Sequence, residues 1–420
     1  MVSVFCFRAL HPRPEEAGRV ASVPYDVVTA DEARERIEKE PLSFLRVIRS
    51  DAEIPSCAPD DERIYLIARE NLETMVEAGV MVQDPVPGMY LYRVEQDGEV
   101  FEGLVACVGC DDYLSGTIRR HEHTRYDKEE ERTRHIDVVN ANTGLVFLLY
   151  RDTDDIAGYI AEQTRNLTPL ASVETGPGCR HQVFMIESGG LLTDIMKRFA
   201  EVDALYIADG HHRAKSAVNV AERRLANGGF TPGCRTFMAV LFPHDRVRIH
   251  GYSRLVRDLG GRSPEEFLAE LSRRFTVTLY GEIDGDQVQV TPHIPPGPDH
   301  HTFHLYIGGS WYEVCAPRTR GNRITDSLDV SILQRDILQG MLGIGDPRED
   351  PRLHHLGGAR PLRDLEKMVD SGDFDLAFAM QPIPIETVLS IAERGEVMPP
   401  KSTWFEPKLL SGLLVHTLDE

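Results

Sequence analysis

Two rhythms of apolar residues run along the chain. Short apolar runs predict strands near 89–95 and 100–108, at Leu145–Tyr150, 182–187, Leu205–Ala208 and Phe237–Leu241, with a further β-rich stretch reaching to residue 316. Apolar positions at helical spacing predict helices from Thr29 to Pro41 and over about 60–79, 154–165, 192–200, 211–227, 330–342, 361–371 and 384–394. Punctuation agrees with these rhythms. Asp97-Gly98 is a hairpin step between the first two strands, and Thr29 with Glu32 three residues on is a capping-box pattern. The charge-dense stretch 117–140 reads as loop and then helix, with Asp127–Arg134 and Lys128–Arg132 expected as partners on a wet face. The Pro- and His-rich run Thr291–His301 reads as a mobile insertion.

One junction carries more chemistry than the rest. Leu205–Ala208 reads as a buried strand, Asp209-Gly210 as a corner, and the helix from His211 is stopped by Gly228-Gly229. The first N–H groups of a helix lack intrahelical partners and sit at the positive end of its dipole, so an anion docks there. Gly210 allows close approach of the backbone, and His211, His212, Arg213 and Lys215 supply donors and charge suited to a polyphosphate. Asp209 is expected as the N-cap.

Charge sharpens this reading. With 46 basic and 67 acidic residues the formal net charge is −21, which opposes non-specific contact with nucleic acid or an anionic membrane. A polyanion must therefore meet a local basic pocket. The N-terminus turns polar and Pro-rich too soon for a signal peptide and no apolar run reaches spanning length, so a cytoplasmic protein is expected, with no membrane partner. Seven scattered cysteines do not form a secreted disulfide framework, and Cys107-x-x-Cys110 has no second pair to complete a zinc site.

Other constellations could act with the corner. His121-Glu122-His123 is not a helical two-histidine zinc pattern, because neighbouring residues point apart, but Glu122 among Arg119, Arg120 and Arg125 is a candidate general base for a hydroxyl. Pro24-Tyr25-Asp26 reads first as a turn. Asn140-x-Asn142-Thr143-Gly144 is a polar turn entering a strand, open to substrate binding or simple closure. Lys401, Ser402, Thr403 and Lys408 lie on a Pro-stiffened extended segment suited to an anion or a carboxylate, and Trp404 and Phe405 read as packing anchors. No Walker-type loop or Rossmann fingerprint is present in the sequence.

Taken together, Pro24-Tyr25-Asp26, His121-Glu122-x-Thr124-Arg125-x-Asp127-Lys128, Asn140-Ala-Asn142-Thr-Gly144, Asp209-Gly-His-His-Arg213 and Met398-Pro-Pro-Lys-Ser-Thr-Trp-Phe-Glu-Pro-Lys408 resemble the bacterial family called domain of unknown function 1015, over nearly the whole chain. Asp209-Gly-His-His-Arg213 also resembles the phosphate-binding corner of the ParB/sulfiredoxin superfamily, above all the kinases that phosphorylate free L-serine. His123 and Tyr126 depart from the first family's pattern, and His211 and His212 stand where sulfiredoxin chemistry needs a cysteine.

These resemblances imply an α+β fold of mixed sheets with packed helices, containing a ParB/sulfiredoxin-like lobe and made of two intimately joined lobes. The expected regions are an N-terminal α/β lobe over 1–150, a nucleotide-binding region over 151–260 and a C-terminal α+β region over 261–420 that completes the site. The implied activity is a kinase acting on a hydroxyl of a free amino acid or similar metabolite, L-serine first, with ATP or ADP as donor and Mg²⁺ as cofactor. In that reading Glu122 and Asp209 are catalytic, with Asp209 also holding the metal. Gly210, His211, His212, Arg213, Lys215 and Arg125 hold the nucleotide. His121, Asn142, Lys401, Ser402, Thr403 and Lys408 hold the acceptor. The expected partners are a nucleotide and a small polar metabolite, with a homodimer as a possible assembly. The alternatives are a ParB-like nucleotide-binding switch or NTPase without a small-molecule acceptor, and a metal-dependent hydrolase resting on the histidines.

Overall fold

A computed structural model of the chain describes residues 1–419 other than 55, 59, 282, 294–299 and 318–322. Two units emerge, Met1–Val247 with Pro407–Glu420, and Arg248–Glu406. The fold is α+β, with several sheets and packed helices.

The first unit is built on a nine-stranded mixed sheet. The elements that frame the sheet and the corner are, in chain order, β1 (Val4–Phe5), α1 (Ala30–Lys39), α2 (Glu62–Glu77), β2 (Met89–Gln96), β3 (Glu99–Gly109), β4 (Ile118–Arg119), α3 (Tyr126–Val139), β5 (Val146–Tyr150), β6 (Ala171–Gly176), β7 (Cys179–Ile186), α4 (Gly189–Ala200), β8 (Leu205–Asp209), α5 (His211–Asn227) and β9 (Thr236–Pro243). The sheet runs β4-β8-β5-β9-β3-β2-β7-β6, with β1 on β3 off this path. Strands from the expected regions 1–150 and 151–260 thus interleave in one sheet.

Local sequence explains much of this frame. Asp97 and Gly98 take φ of 54° and 81°, the left-handed pair that a two-residue hairpin between β2 and β3 demands. Thr29 and Glu32 close the capping box at the start of α1, with Glu32 Oε2 accepting the Thr29 N–H at 2.8 Å. β3 lies beside β9 because Gly103 offers no side chain. A Cβ there would stand 2.7 Å from both Phe242 and Val240. Leu104, Ala106 and Val108 of β3 join Leu148 of β5, Leu205 and Ile207 of β8 and Val218 of α5 in the main core.

The second unit holds β10 (Arg248–His250), β11 (Ser253–Val256), α6 (Pro264–Leu271), β12 (Thr276–Gly281), β13 (His300–Ile307), β14 (Ser310–Pro317), β15 (Leu353–Leu356), α7 (Leu362–Asp370), β16 (Leu376–Ala379), α8 (Ile385–Glu393) and β17 (Trp404–Glu406). Six strands form the antiparallel order β12-β14-β13-β16-β11-β15, and β10 pairs with β17 as a separate ribbon.

Four expectations need correction. The hairpin partner β6 was not anticipated, because its alternation is interrupted by Glu174, Thr175 and Gly176 at an exposed edge. The helix expected over 330–342 is an α-turn at Asp329–Ile332 that continues as a π-helix over Leu333–Gln339. The wet-face pairs on α3 are replaced. Arg132 is 7% exposed with its guanidinium 4.4 Å from the Tyr25 ring, Asp127 pairs with Arg125, and Lys128 pairs with Glu131. Finally, Asp209 is not the N-cap of α5. Gly210 is, with φ of 93° and no side-chain cap. The centre of the expected insertion, 294–299, lies outside the described residues, and His300 and His301 open β13.

Candidate functional site

Strand direction gathers the site. β8 runs parallel to β4 and antiparallel to β5, with Leu205 opposite Ile118 and Asp209 opposite Phe147. The loop leaving β4, the turn entering β5 and the corner leaving β8 therefore meet at one end of the sheet. That end is the carboxyl end of β8, where open α/β layers hold their ligands. Three motifs far apart in sequence become neighbours: His121-Glu122, Asn142–Gly144 and Asp209–Arg213.

At the corner, Asp209 ends its strand with the carboxylate engaged from three sides. Oδ1 accepts the Gly210 N–H at 2.9 Å, while Arg213 Nη2 and Lys408 Nζ each stand 3.5 Å from Oδ2. Burial pushes this carboxyl upward, but Lys408, Arg213, His211 and the Gly210 N–H outweigh it and hold the group well below the usual carboxylate range. Asp209 is therefore an anion at neutral pH and a weak base.

Arg213 is clamped between two glycines. A Cβ on Gly210 would lie 2.9 Å from its Nε, and one on Gly144 would lie 3.4 Å from Cδ and Nη1. The guanidinium thus sits tight against Gly210, whose positive φ already favours glycine, and in ordinary contact with Gly144. The Arg213 side chain is 16% exposed. Burial works against its charge, and Asp209, Asp26 and Tyr25 more than offset that, so it stays a cation.

The histidines behave differently from a cationic cluster. His211 is 6% exposed, and its ring meets that of His121 edge-on at 4.6 Å. Burial drives both toward the neutral form, His121 down to about 4 and His211 well below its ordinary value. His211 Nε2 is buried with no hydrogen-bond partner among the described residues. His212 is also shifted down, first by burial, and its Nε2 accepts the backbone N–H of Arg125 at 3.1 Å. A nitrogen that accepts carries no proton, so His212 carries its proton on Nδ1. Arg213 and Lys408 are fixed positive charges here, Arg120 acts electrostatically on His211, and half-buried Lys215 lies on the same helix face as His211.

The remaining expected residues fall into three places. Half-buried Glu122 follows His121 in the loop after β4. Arg125 is the N-cap of α3, its backbone tied to His212 and its guanidinium paired with Asp127 at 2.9 Å. Asn142 is 5% exposed, with Oδ1 accepting the Met238 N–H at 3.3 Å and Nδ2 buried without a partner among the described residues. Lys401, Ser402 and Thr403 belong to the second unit. Ser402 Oγ donates to the Pro399 carbonyl at 2.6 Å, and Lys401 takes φ of 56° with its ammonium 5.6 Å from the Tyr252 ring.

Sequence reading missed Arg132 and undervalued Tyr25-Asp26. Burial pushes the Tyr25 phenol up to about 12, and both Arg132 and Arg213 pull against that shift. The aromatic-acid pair at Tyr25-Asp26 was the available signal.

Residues 4–331 match the family model described as protein of unknown function DUF1015. The chain belongs to the DUF1015 family. Among curated proteins none matches. Solved structures that resemble this DUF1015 chain include free serine kinase in complex with AMP, at 13% identity and a TM-score of 0.37 over 73% of this chain and 88% of that one. SbnI with a C-terminal truncation, from Staphylococcus aureus, stands at 12% and 0.37 over 74% and 87%. A conserved hypothetical protein from Pyrococcus furiosus stands at 12% and 0.34 over 72% and 90%. Among the described residues no helix is long and apolar enough to cross a membrane. Among them, too, no group of three or more His, Cys, Asp or Glu side chains is placed to hold a metal ion.

Proposed function

We propose that this protein binds a nucleotide with its phosphates on the N-terminus of α5 and transfers a phosphoryl group to the hydroxyl of a small polar acceptor, L-serine first. The observation that carries the reading is a 17-residue helix whose N-terminus has no side-chain cap, beside a buried imidazole nitrogen lacking a partner. Uncapped N–H groups and a buried unpaired donor or acceptor each cost free energy until a ligand supplies the missing bond. Arg213 and Lys408 add the charge that a phosphate needs.

Phosphoryl transfer is mostly positioning and charge stabilisation. The acceptor oxygen bonds to phosphorus, the bond from phosphorus to the leaving phosphate oxygen breaks, and the hydroxyl proton passes to a carboxylate. Asp209 is held too acidic for that last task, which favours Glu122, with exposed Asp26 next because it acts electrostatically on both His212 and Arg213. Asp209 offers one ionised carboxylate, which fits a Mg²⁺ that takes its other ligands from phosphates and water. Bound there, the ion would neutralise phosphate charge. ATP and ADP both suit the corner as donor.

The test is direct. Incubated with ATP or ADP, Mg²⁺ and L-serine, the protein should yield phosphoserine by mass spectrometry, and Glu122→Gln should keep nucleotide affinity while losing transfer. Nucleotide hydrolysis indifferent to every acceptor tried would replace this reading with the ParB-like switch.

A further inference from the structure

The tail strand β17 has a role in the second unit that packing alone does not explain. It pairs with β10 so that Trp404 faces His250 and Phe405 faces Ile249. Alternation along the strand puts Phe405, 1% exposed, on one side and Trp404 with Glu406 on the other. Glu406 is thus the diagonal neighbour of His250, and its Oε2 lies 3.0 Å from His250 Nε2. Burial raises this carboxyl, but donors from His250, the Ala359 N–H and Trp404 bring it below the usual carboxylate range. This carboxylate orients the ring: in the neutral imidazole the proton sits on Nε2, toward Glu406, and Nδ1 is an acceptor.

His250 lines a narrow, open cleft together with Ser253, Gln289, Gln381 and Arg360. The two glutamines are engaged: Gln289 donates to Gln381 Oε1, and Gln381 Nε2 donates to the Val290 carbonyl at 2.9 Å. They stiffen the wall. Exposed Arg360 has no ion pair among the described residues, and His250 Nδ1 has no hydrogen-bond partner among them. The cleft therefore presents a guanidinium fork and an imidazole acceptor, both open to a ligand.

We propose that this cleft binds a small carboxylate carrying an adjacent hydrogen-bond donor, an α-amino or α-hydroxy acid, with Arg360 on the carboxylate and His250 Nδ1 accepting from the amino or hydroxyl group. A planar fork matches a carboxylate, and an acceptor flanking it selects acids with a donor next to that group over simple acids. The site lies wholly within residues 248–406 and does not rest on nucleotide binding at the corner.

Calorimetry on the full chain, without nucleotide, uses L-serine and L-lactate as probes, with ethanolamine lacking the carboxylate and propionate lacking the donor. Both acids should bind saturably and the two controls at least tenfold more weakly. Arg360→Ala, at an exposed position that leaves the fold alone, and His250→Ala should each cost tenfold or more. Glu406→Gln tests positioning: the ring ¹⁵N shifts of His250 should lose their Nε2–H signature as acid binding weakens. Arg213→Ala should leave acid binding unchanged. Absence of saturable binding, equal binding of propionate, or loss of binding in Arg213→Ala with retention in Arg360→Ala would overturn the proposal.

Discussion

The two motif-bearing cationic segments of this chain, Asp209–Lys215 and Lys401–Lys408, treat their polar groups in opposite ways. At the corner the helix N-terminus is uncapped and His211 Nε2 is buried without a partner among the described residues. In the tail the polar groups close on the chain itself. Ser402 Oγ caps the Pro399 carbonyl, and Arg254, 4% exposed, donates to the carbonyls of Tyr252 and Lys401. Glu406 is likewise occupied by His250. Residue types at both places suit an anion, but His211 Nε2 at the corner stands without a partner among the described residues while Ser402 and Glu406 in the tail are already bonded. A cluster of donors points to a ligand when the fold leaves it unsatisfied, and to architecture when the fold has already used it.

The largest expected effect comes from acid, because it acts on the buried histidines that distinguish the two units. In the first unit burial holds His121, His181 and His416 down to about 4 and His135 to about 3, whereas in the second His304 falls to about 4 and His355 to about 3. These groups are neutral when folded and take up protons near pH 6.5 when unfolded. The unfolded chain thus binds more protons between those values, and stability falls as pH drops below about 6.5, at up to about 1.4 kcal/mol per pH unit for each histidine. His211 and His212 in the first unit and His354 in the second are shifted down as well, so with six such groups against three the first unit should lose stability about twice as steeply. Both tryptophans, Trp311 and Trp404, lie in the second unit, so their fluorescence follows that unit while hydrogen exchange follows the first. Equal slopes for the two units between pH 6.5 and 5 would remove the contrast.

Next in size is Arg213→Ala. A charge-assisted hydrogen bond contributes about 1.5–3 kcal/mol, so nucleotide affinity should fall roughly 10- to 150-fold by calorimetry. The substitution also leaves Asp209 with Lys408 as its one remaining side-chain cation among the described residues. Affinity unchanged by this variant would mean that the corner, like the tail, is architecture.

How much of this contrast was legible beforehand follows from the range of the interactions involved. The hairpin at Asp97-Gly98, the Thr29–Glu32 box and the strand-to-helix junction at 210 depend on neighbours a few residues apart, and sequence shows them. The cap at that junction was assigned to Asp209 because Asp is a good N-cap. Arg213, four residues on, and the distant Lys408 turn that carboxylate aside, and Gly210 supplies the left-handed φ instead. Arg132 looked solvated because its partner, the Tyr25 ring, comes from a distant loop. The convergence of His121, Gly144 and Arg213 depends on the parallel pairing of β4 with β8, a long-range register that no local pattern encodes.

The smallest effects belong to the tail and test its half of the contrast most finely. Ser402→Ala removes a hydroxyl whose one partner among the described residues is the Pro399 carbonyl, so it should cost about 1 kcal/mol in denaturant unfolding and leave nucleotide affinity alone. Lys401 holds a φ that favours glycine, so Lys401→Gly should relieve strain and offset the entropy that glycine adds to the unfolded chain, for a net change within about 1 kcal/mol. A drop in nucleotide affinity in either variant would show that positions 401 and 402, beyond Lys408, act on the ligand. An affinity that survives both, while Arg213→Ala destroys it, would assign phosphate recognition to the corner and leave the Pro-Pro-Lys-Ser-Thr run the task of holding Lys401 and β17 in place.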